Sequence, residues 1–140
     1  MKTSLKILFA SVFILSTLSC NAKPPKKNTS TQKIEVITMY YFHYTARCIT
    51  CKTLEEEAQK DVETLYPNLY KAGKIVFQSI NLNEPTGEAL AEKLKVAGQT
   101  LLIVKGNQQI NLTNEGFLYC RSDAEKFKAI IKEKMDALIK

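Results

Sequence analysis

Several kinds of chemistry are missing from this chain of 140 residues. No closely paired carboxylates, glycine-rich phosphate loop or serine–histidine–acid arrangement stands out, which removes the usual signatures of glycosidases, nucleotide-binding proteins and serine hydrolases. There is no arginine-rich stripe interleaved with aromatics. The lysines are spread along helical faces, as on a solvated surface, so no nucleic-acid partner is expected. The formal charge is +6, and it falls by two if Lys2 and Lys6 are removed with a leader. No internal repeat is visible. Among four cysteines there is a single Cys-x-x-Cys, whereas a closed zinc site wants four ligands. The longest apolar run, over 7–18, is too short for a stable bilayer span.

What is present begins with that run. A cationic start (Lys2, Lys6), an apolar stretch and small residues form the pattern of an export signal peptide. A buried helix would need a polar face that the run lacks. Thr17-Leu18-Ser19-Cys20 resembles the lipoprotein box of bacteria, in which the cysteine becomes the lipidated N-terminus. That would make Cys20 a membrane anchor and place the protein in the cell envelope, facing the periplasm. Thr17 stands where leucine is usual, and cleavage after Ala22 is the alternative, leaving a soluble periplasmic or secreted protein. Residues 21–33 are polar and proline-bearing, as in a tether, whose lysines would add little attraction to anionic lipid. The expected organisation is a signal peptide over 1–20, a tether over 21–33 and one folded domain over 34–140.

Within that domain, residues 34–44 are β-branched and aromatic, as in a strand buried on both faces. Leu54, Ala58, Val62 and Leu65 recur at helical spacing and predict a helix from about Cys48 to Tyr66, with Glu56 and Lys60 paired on its wet side. A second strand follows over 75–82. Pro85 opens a helix that Gly98 stops, and a third strand runs over 100–104. Gly106-Asn107 is a hairpin turn leading to a fourth strand over 108–113. Glu115-Gly116-Phe117 reads as a turn with an aromatic for partner contact. Ser122 and Glu125 form a capping box for a last helix carrying Phe127, Ile130, Ile131, Met135 and Leu138. The order β-α-β-α-β-β-α implies an α/β three-layer sandwich with a mixed four-stranded sheet. Right-handed crossovers would make the first three strands parallel, with an antiparallel hairpin at the end.

The thiols Cys48 and Cys51 fall where the first strand hands over to the first helix. A helix N-terminus presents unpaired N–H groups and partial positive charge, both of which favour a thiolate. With Arg47 and Lys52 adjacent, the thiol pKa can drop from about 8.5 to roughly 3.5–7.5. Side chains at i and i+3 on a helix lie about 5–6 Å apart, close to disulfide reach. Cys48, nearer the helix start, is the expected nucleophile and Cys51 the resolving thiol. The alternatives are a static bridge or half of a zinc site.

Tyr41-Phe42-His43 before Cys48-Ile49-Thr50-Cys51, Gly98-Gln99-Thr100-Leu101-Leu102 and the terminal hairpin plus helix resemble the thioredoxin superfamily over about residues 34–138. More narrowly, Cys48-Ile49-Thr50-Cys51-Lys52, Gly98 to Leu102 and Leu112-Thr113-Asn114-Glu115-Gly116-Phe117 resemble the ArsF family, described as a nitrophenyl-compound nitroreductase subunit, which implies a redox-partner role. The resemblance implies that the Gln99-Thr100 loop faces the thiols and lines a substrate or partner chain. Thioredoxins carry a cis-proline where this chain has Gln99. A cis bond before a non-proline residue costs roughly 2.5–4 kcal/mol, so a trans bond and an altered loop are expected. Losing the proline also removes a group that crowds the sulfurs.

These readings lead to an exported thiol–disulfide oxidoreductase or electron-transfer subunit. It would act on a redox partner protein or thiol substrate and need no cofactor beyond the Cys48–Cys51 disulfide. The alternative is a binding protein or chaperone for a soft metal or arsenite, using Cys48, Cys51 and Cys120. Cys120, at the junction before the last helix, would border the active surface in the thioredoxin pattern; otherwise it is a small buried apolar residue. His43 would tune the thiolate, act as a fourth soft ligand, or simply pack with a satisfied hydrogen bond.

Overall fold

The computed structural model describes residues 35–140; the leader, the tether and Cys20 lie outside them. Four strands, β1 (Ile37–His43), β2 (Ile75–Asn81), β3 (Thr100–Lys105) and β4 (Gln108–Asn111), make one sheet in the order β2-β1-β3-β4. Five helices pack around it: α1 (Ile49–Leu65), α2 (Pro67–Lys71), α3 (Pro85–Leu94), α4 (Thr113–Tyr119) and α5 (Ala124–Ile139). This is a thioredoxin-like sandwich. Among the described residues no helix is long and apolar enough to cross a membrane.

Alternation along β1 explains why it sits at the centre. Met39 and Tyr41 point to one face, where they meet Leu54, Ala58 and Val62 of α1 and Phe127, Ile131 and Met135 of α5. Phe42 points to the other, against Ala91 of α3 and Leu102. Both faces are therefore covered, as the β-branched and aromatic run over 36–42 requires. Fully burying a side chain such as Phe127 or Ile131 stabilises the fold by about 1.5–3 kcal/mol. At the far end of α1, the Tyr66 hydroxyl donates to Asp136 Oδ1 at 2.7 Å and ties the helix to α5.

The chain departs from the expected layout in several places. β3 runs antiparallel to β1, with Phe42 opposite Thr100 and Ile37 opposite Lys105; only β2 is parallel to β1. The cause is α3. Its 10 residues give about 15 Å, too little to carry the chain back along a strand of about 23 Å. It packs on the face of the sheet against Phe42 and Leu102 instead, its C-terminal side lining a groove with Tyr44 and Leu82. The chain re-enters where it left, and β3 must run the other way. Lys95, in the left-handed conformation at φ 58°, ends α3 ahead of Gly98.

Residues 113–119 are a helix and not strand end plus turn. Gly116 lets this α4 backbone lie against Leu54, since a Cβ there would press on Leu54 Cδ1. Asp123 caps α5 through the Lys126 N–H at 3.0 Å, while the Ser122 hydroxyl donates back to the Leu118 carbonyl. Adjacent residues able to cap compete, and the one whose oxygen reaches the third N–H wins. Lys60 pairs with Glu57 at 2.9 Å and not with Glu56.

Candidate functional site at the start of helix α1

The C-terminal end of β1 releases the chain into a short loop before α1, and this loop is pinned from the side. The Thr45 N–H donates to Asn83 Oδ1 at 2.8 Å, and Asn81 Nδ2 donates to the Thr45 hydroxyl at 3.0 Å. Asn81 ends β2 and Asn83 lies in the connection to α3. Cys48 then stands as the N-cap of α1 with extended backbone, and its sulfur accepts the Cys51 N–H at 3.2 Å. A capping position normally filled by serine or aspartate is here filled by sulfur. The Cys48 and Cys51 Cα atoms are 5.2 Å apart and the two sulfurs are bonded to each other. Cys48 is exposed, and Cys51 only 4% so. One sulfur therefore meets solvent and the other backs onto the domain.

Opposite the pair is the loop 98–100. No peptide bond among the described residues is cis, so Gln99 follows a trans bond, as expected. Gly98 has φ 140°, a conformation that L residues rarely adopt, and the Thr100 hydroxyl folds back onto the Gly98 carbonyl at 3.1 Å. The turn so formed directs the Gln99 side chain at the disulfide: Nε2 lies 3.6 Å and Oε1 4.0 Å from Cys51 Sγ. The place of the missing proline is thus filled by a side-chain amide, and it faces the buried sulfur, Cys51.

The remaining residues singled out from the sequence fall around this centre. Arg47 is salt-bridged to Glu55 one and a half turns into α1, so its charge is shared with a carboxylate. Lys52 is exposed, and its N–H donates to the Cys48 carbonyl at 3.2 Å. The His43 ring is 7% exposed. Its Nδ1 lies 3.0 Å from the Tyr44 carbonyl and its Nε2 2.9 Å from the Ser79 hydroxyl. A carbonyl only accepts, which assigns the proton to Nδ1 and makes Nε2 the acceptor from Ser79. Both nitrogens are occupied.

Cys120 ends α4, with its thiol buried and directed at the Thr50 carbonyl at 3.9 Å. Burial pushes its pKa up, against a smaller lowering by Arg121. Among the described residues no group of three or more His, Cys, Asp or Glu side chains converges as a metal-holding set.

Two participants had no local signature. Arg121 Nη1 donates to the Thr50 hydroxyl inside the Cys-x-x-Cys at 3.3 Å, across 71 residues. Glu55 is one of three consecutive glutamates, 55–57, and nothing in the sequence sets it apart from the other two. Ile49 at 70%, Leu118 at 61% and Tyr44 at 44% exposure are large apolar side chains left in water on this molecule.

Fold and site together define a thioredoxin-like α/β domain with a close cysteine pair at a helix N-terminus. Compared with known proteins, the sequence matches no family model and no curated protein. A solved structure described as "Structure of a malarial protein" is similar at 21% identity, over 53% of this chain and 74% of that one, with a TM-score of 0.39. A likeness at that level carries no functional weight.

Proposed function

We propose that the protein is an exported thiol–disulfide oxidoreductase, or an electron-passing subunit of the kind the ArsF resemblance implies, working through Cys48 and Cys51. The observation that carries this is the N-cap sulfur: Cys48 is exposed and accepts the Cys51 N–H, while Cys51 lies buried behind it. An unbonded Cys48 thiolate would keep that N–H donor and the positive end of the α1 dipole.

In the reducing direction, the Cys48 thiolate attacks one sulfur of a partner disulfide. A Cys48–partner bond forms, and the other partner sulfur leaves as a thiolate and takes a proton from water. Cys51, having lost its proton to solvent, then attacks Cys48 Sγ. The Cys48–Cys51 bond forms as the mixed disulfide breaks, and the second partner sulfur leaves. Two electrons pass from the cysteine pair to the partner, and the reverse sequence oxidises a partner dithiol. Export and membrane attachment through Cys20 belong to the same proposal and rest on the leader in the sequence.

The test is alkylation of Cys48 in the reduced protein as a function of pH, with the modified residue located by mass spectrometry. Half-reaction at or below about pH 7.5 is the expected result. A profile matching free cysteine, centred near about 8.5, would overturn the proposal.

A further inference from the structure

Gln99 does more than fill the space opposite the cysteines. Its amide is the one side chain hydrogen-bonded to Cys51 Sγ among the described residues, with both polar atoms turned to the sulfur, Nε2 at 3.6 Å and Oε1 at 4.0 Å. Gly98 and the Thr100 hydroxyl fix the turn from which it projects. Cys51 is nearly sealed from water, and a thiolate in such a place is disfavoured unless a donor meets it. An amide suits each state of this sulfur. It accepts from the thiol through Oε1 and donates to the thiolate through Nε2, whereas a proline ring offers neither.

We infer that Gln99 is a positioning residue that sets the redox equilibrium and the resolving step through Cys51, an inference that rests on the dithiol–disulfide function proposed above. A hydrogen bond to an anionic sulfur is stronger than one to a neutral disulfide sulfur. Gln99 therefore stabilises the reduced protein more than the oxidised one and makes the couple more oxidising. It also makes Cys51 available as the attacking thiolate at lower pH, so that the Cys48–partner bond is broken sooner.

Three proteins test this: the wild type, Gln99→Met, which keeps length without a donor, and Gln99→Glu, which keeps shape and puts an anion against the sulfur. Each is equilibrated with glutathione buffers to give the dithiol–disulfide constant. Each is also treated, reduced, with dithionitrobenzoate, so that the first thionitrobenzoate released reports attack by Cys48 and the second reports closure by Cys51. Gln99→Met is expected to shift the constant about tenfold toward the disulfide, about 30 mV for a two-electron couple, with Gln99→Glu shifting it further. In both variants the pH profile of the second release moves upward while that of the first stays. Thermal unfolding of the oxidised Gln99→Met protein checks that the fold is kept, and a purely structural role would not move the closure profile. Equal constants and superimposed closure profiles in the three proteins would overturn the inference for Gln99 alone. A wild type without a reversible couple would overturn it together with the proposed function.

Discussion

The Arg47 guanidinium is paired with the Glu55 carboxylate, so the cation next to Cys48 in sequence is already engaged by an anion on the same helix. Its effect on the Cys48 thiolate is the difference between two opposed charges at different distances, each half-buried and screened by solvent. Glu55→Gln removes the opposing charge and leaves Arg47 in place. The pH midpoint of Cys48 alkylation is then expected to fall by about 0.5 unit, a Coulombic effect of about 0.7 kcal/mol. Arg47→Ala should move it the other way. Raising the salt concentration should narrow both differences.

The unequal exposure of the two sulfurs supports the proposed roles, and a pair of substitutions tests them. Cys51→Ser leaves an accessible thiol at the helix N-cap with nothing to resolve it, so mixed disulfides with a partner should accumulate on Cys48. Non-reducing electrophoresis of the Cys51→Ser protein after incubation with a disulfide-bonded substrate protein should show a covalent adduct. Cys48→Ser should give at least tenfold less, because the Cys51 sulfur sits behind the first turn and is shielded by Gln99. Equal trapping by both variants would show that either sulfur meets substrates.

The strands, the helix carrying the thiols and the layered architecture were legible because they follow from local pattern. β-branched runs bounded by turn residues gave the strands, and helical spacing gave the buried face of α1. The direction of β3 was not legible, since it depends on how far ten residues of α3 reach across the sheet and not on the residues of β3. Helix α4 was missed because Asn114 and Gly116 are poor helix formers; here the glycine is what lets the helix pack on Leu54. Gln99 stood out only by its place, where thioredoxins carry a proline. Its contact with Cys51 spans 48 residues, and that of Arg121 with Thr50 spans 71. No periodicity encodes such pairs.

The join between β2 and α3 holds the loop before Cys48 as well as the fold. A Cβ on Gly87 would collide with the backbone carbonyl of Asn81, and Asn81 is the residue whose side chain holds Thr45. Gly87→Ala is expected to destabilise the domain by about 1–3 kcal/mol, the usual cost of overpacking, although alanine is the better helix former. Chemical denaturation measures that loss. Because the displaced Asn81 also loosens the loop before Cys48, the rate of Cys48 alkylation should change in this variant under conditions where it remains folded. A neutral effect on stability would mean that α3 can move off the sheet at little cost.

Asp61 is the buried charge that the site does not use. It lies on α1 toward α5 at 2% exposure, with Oδ2 lacking a hydrogen-bond partner. Burial pushes its pKa from 3.8 up to about 6, aided by Glu57 and Glu125 and opposed by Lys128 and Lys60. The folded state therefore holds the proton more tightly than the unfolded chain does. Between about pH 4 and pH 6 the folded protein keeps the proton that the unfolded chain has lost, so this residue's contribution to stability falls as pH rises through that window. Above about pH 7 both states are ionised, and the penalty levels off at up to about 3 kcal/mol. Asp61→Asn removes the charge and keeps the shape. It should raise stability at pH 8 by about 1–3 kcal/mol, change it little at pH 4, and flatten the profile between. Urea denaturation at pH 4, 5, 6 and 8 on both proteins gives the comparison, and parallel profiles would show that Asp61 is solvated or paired in solution.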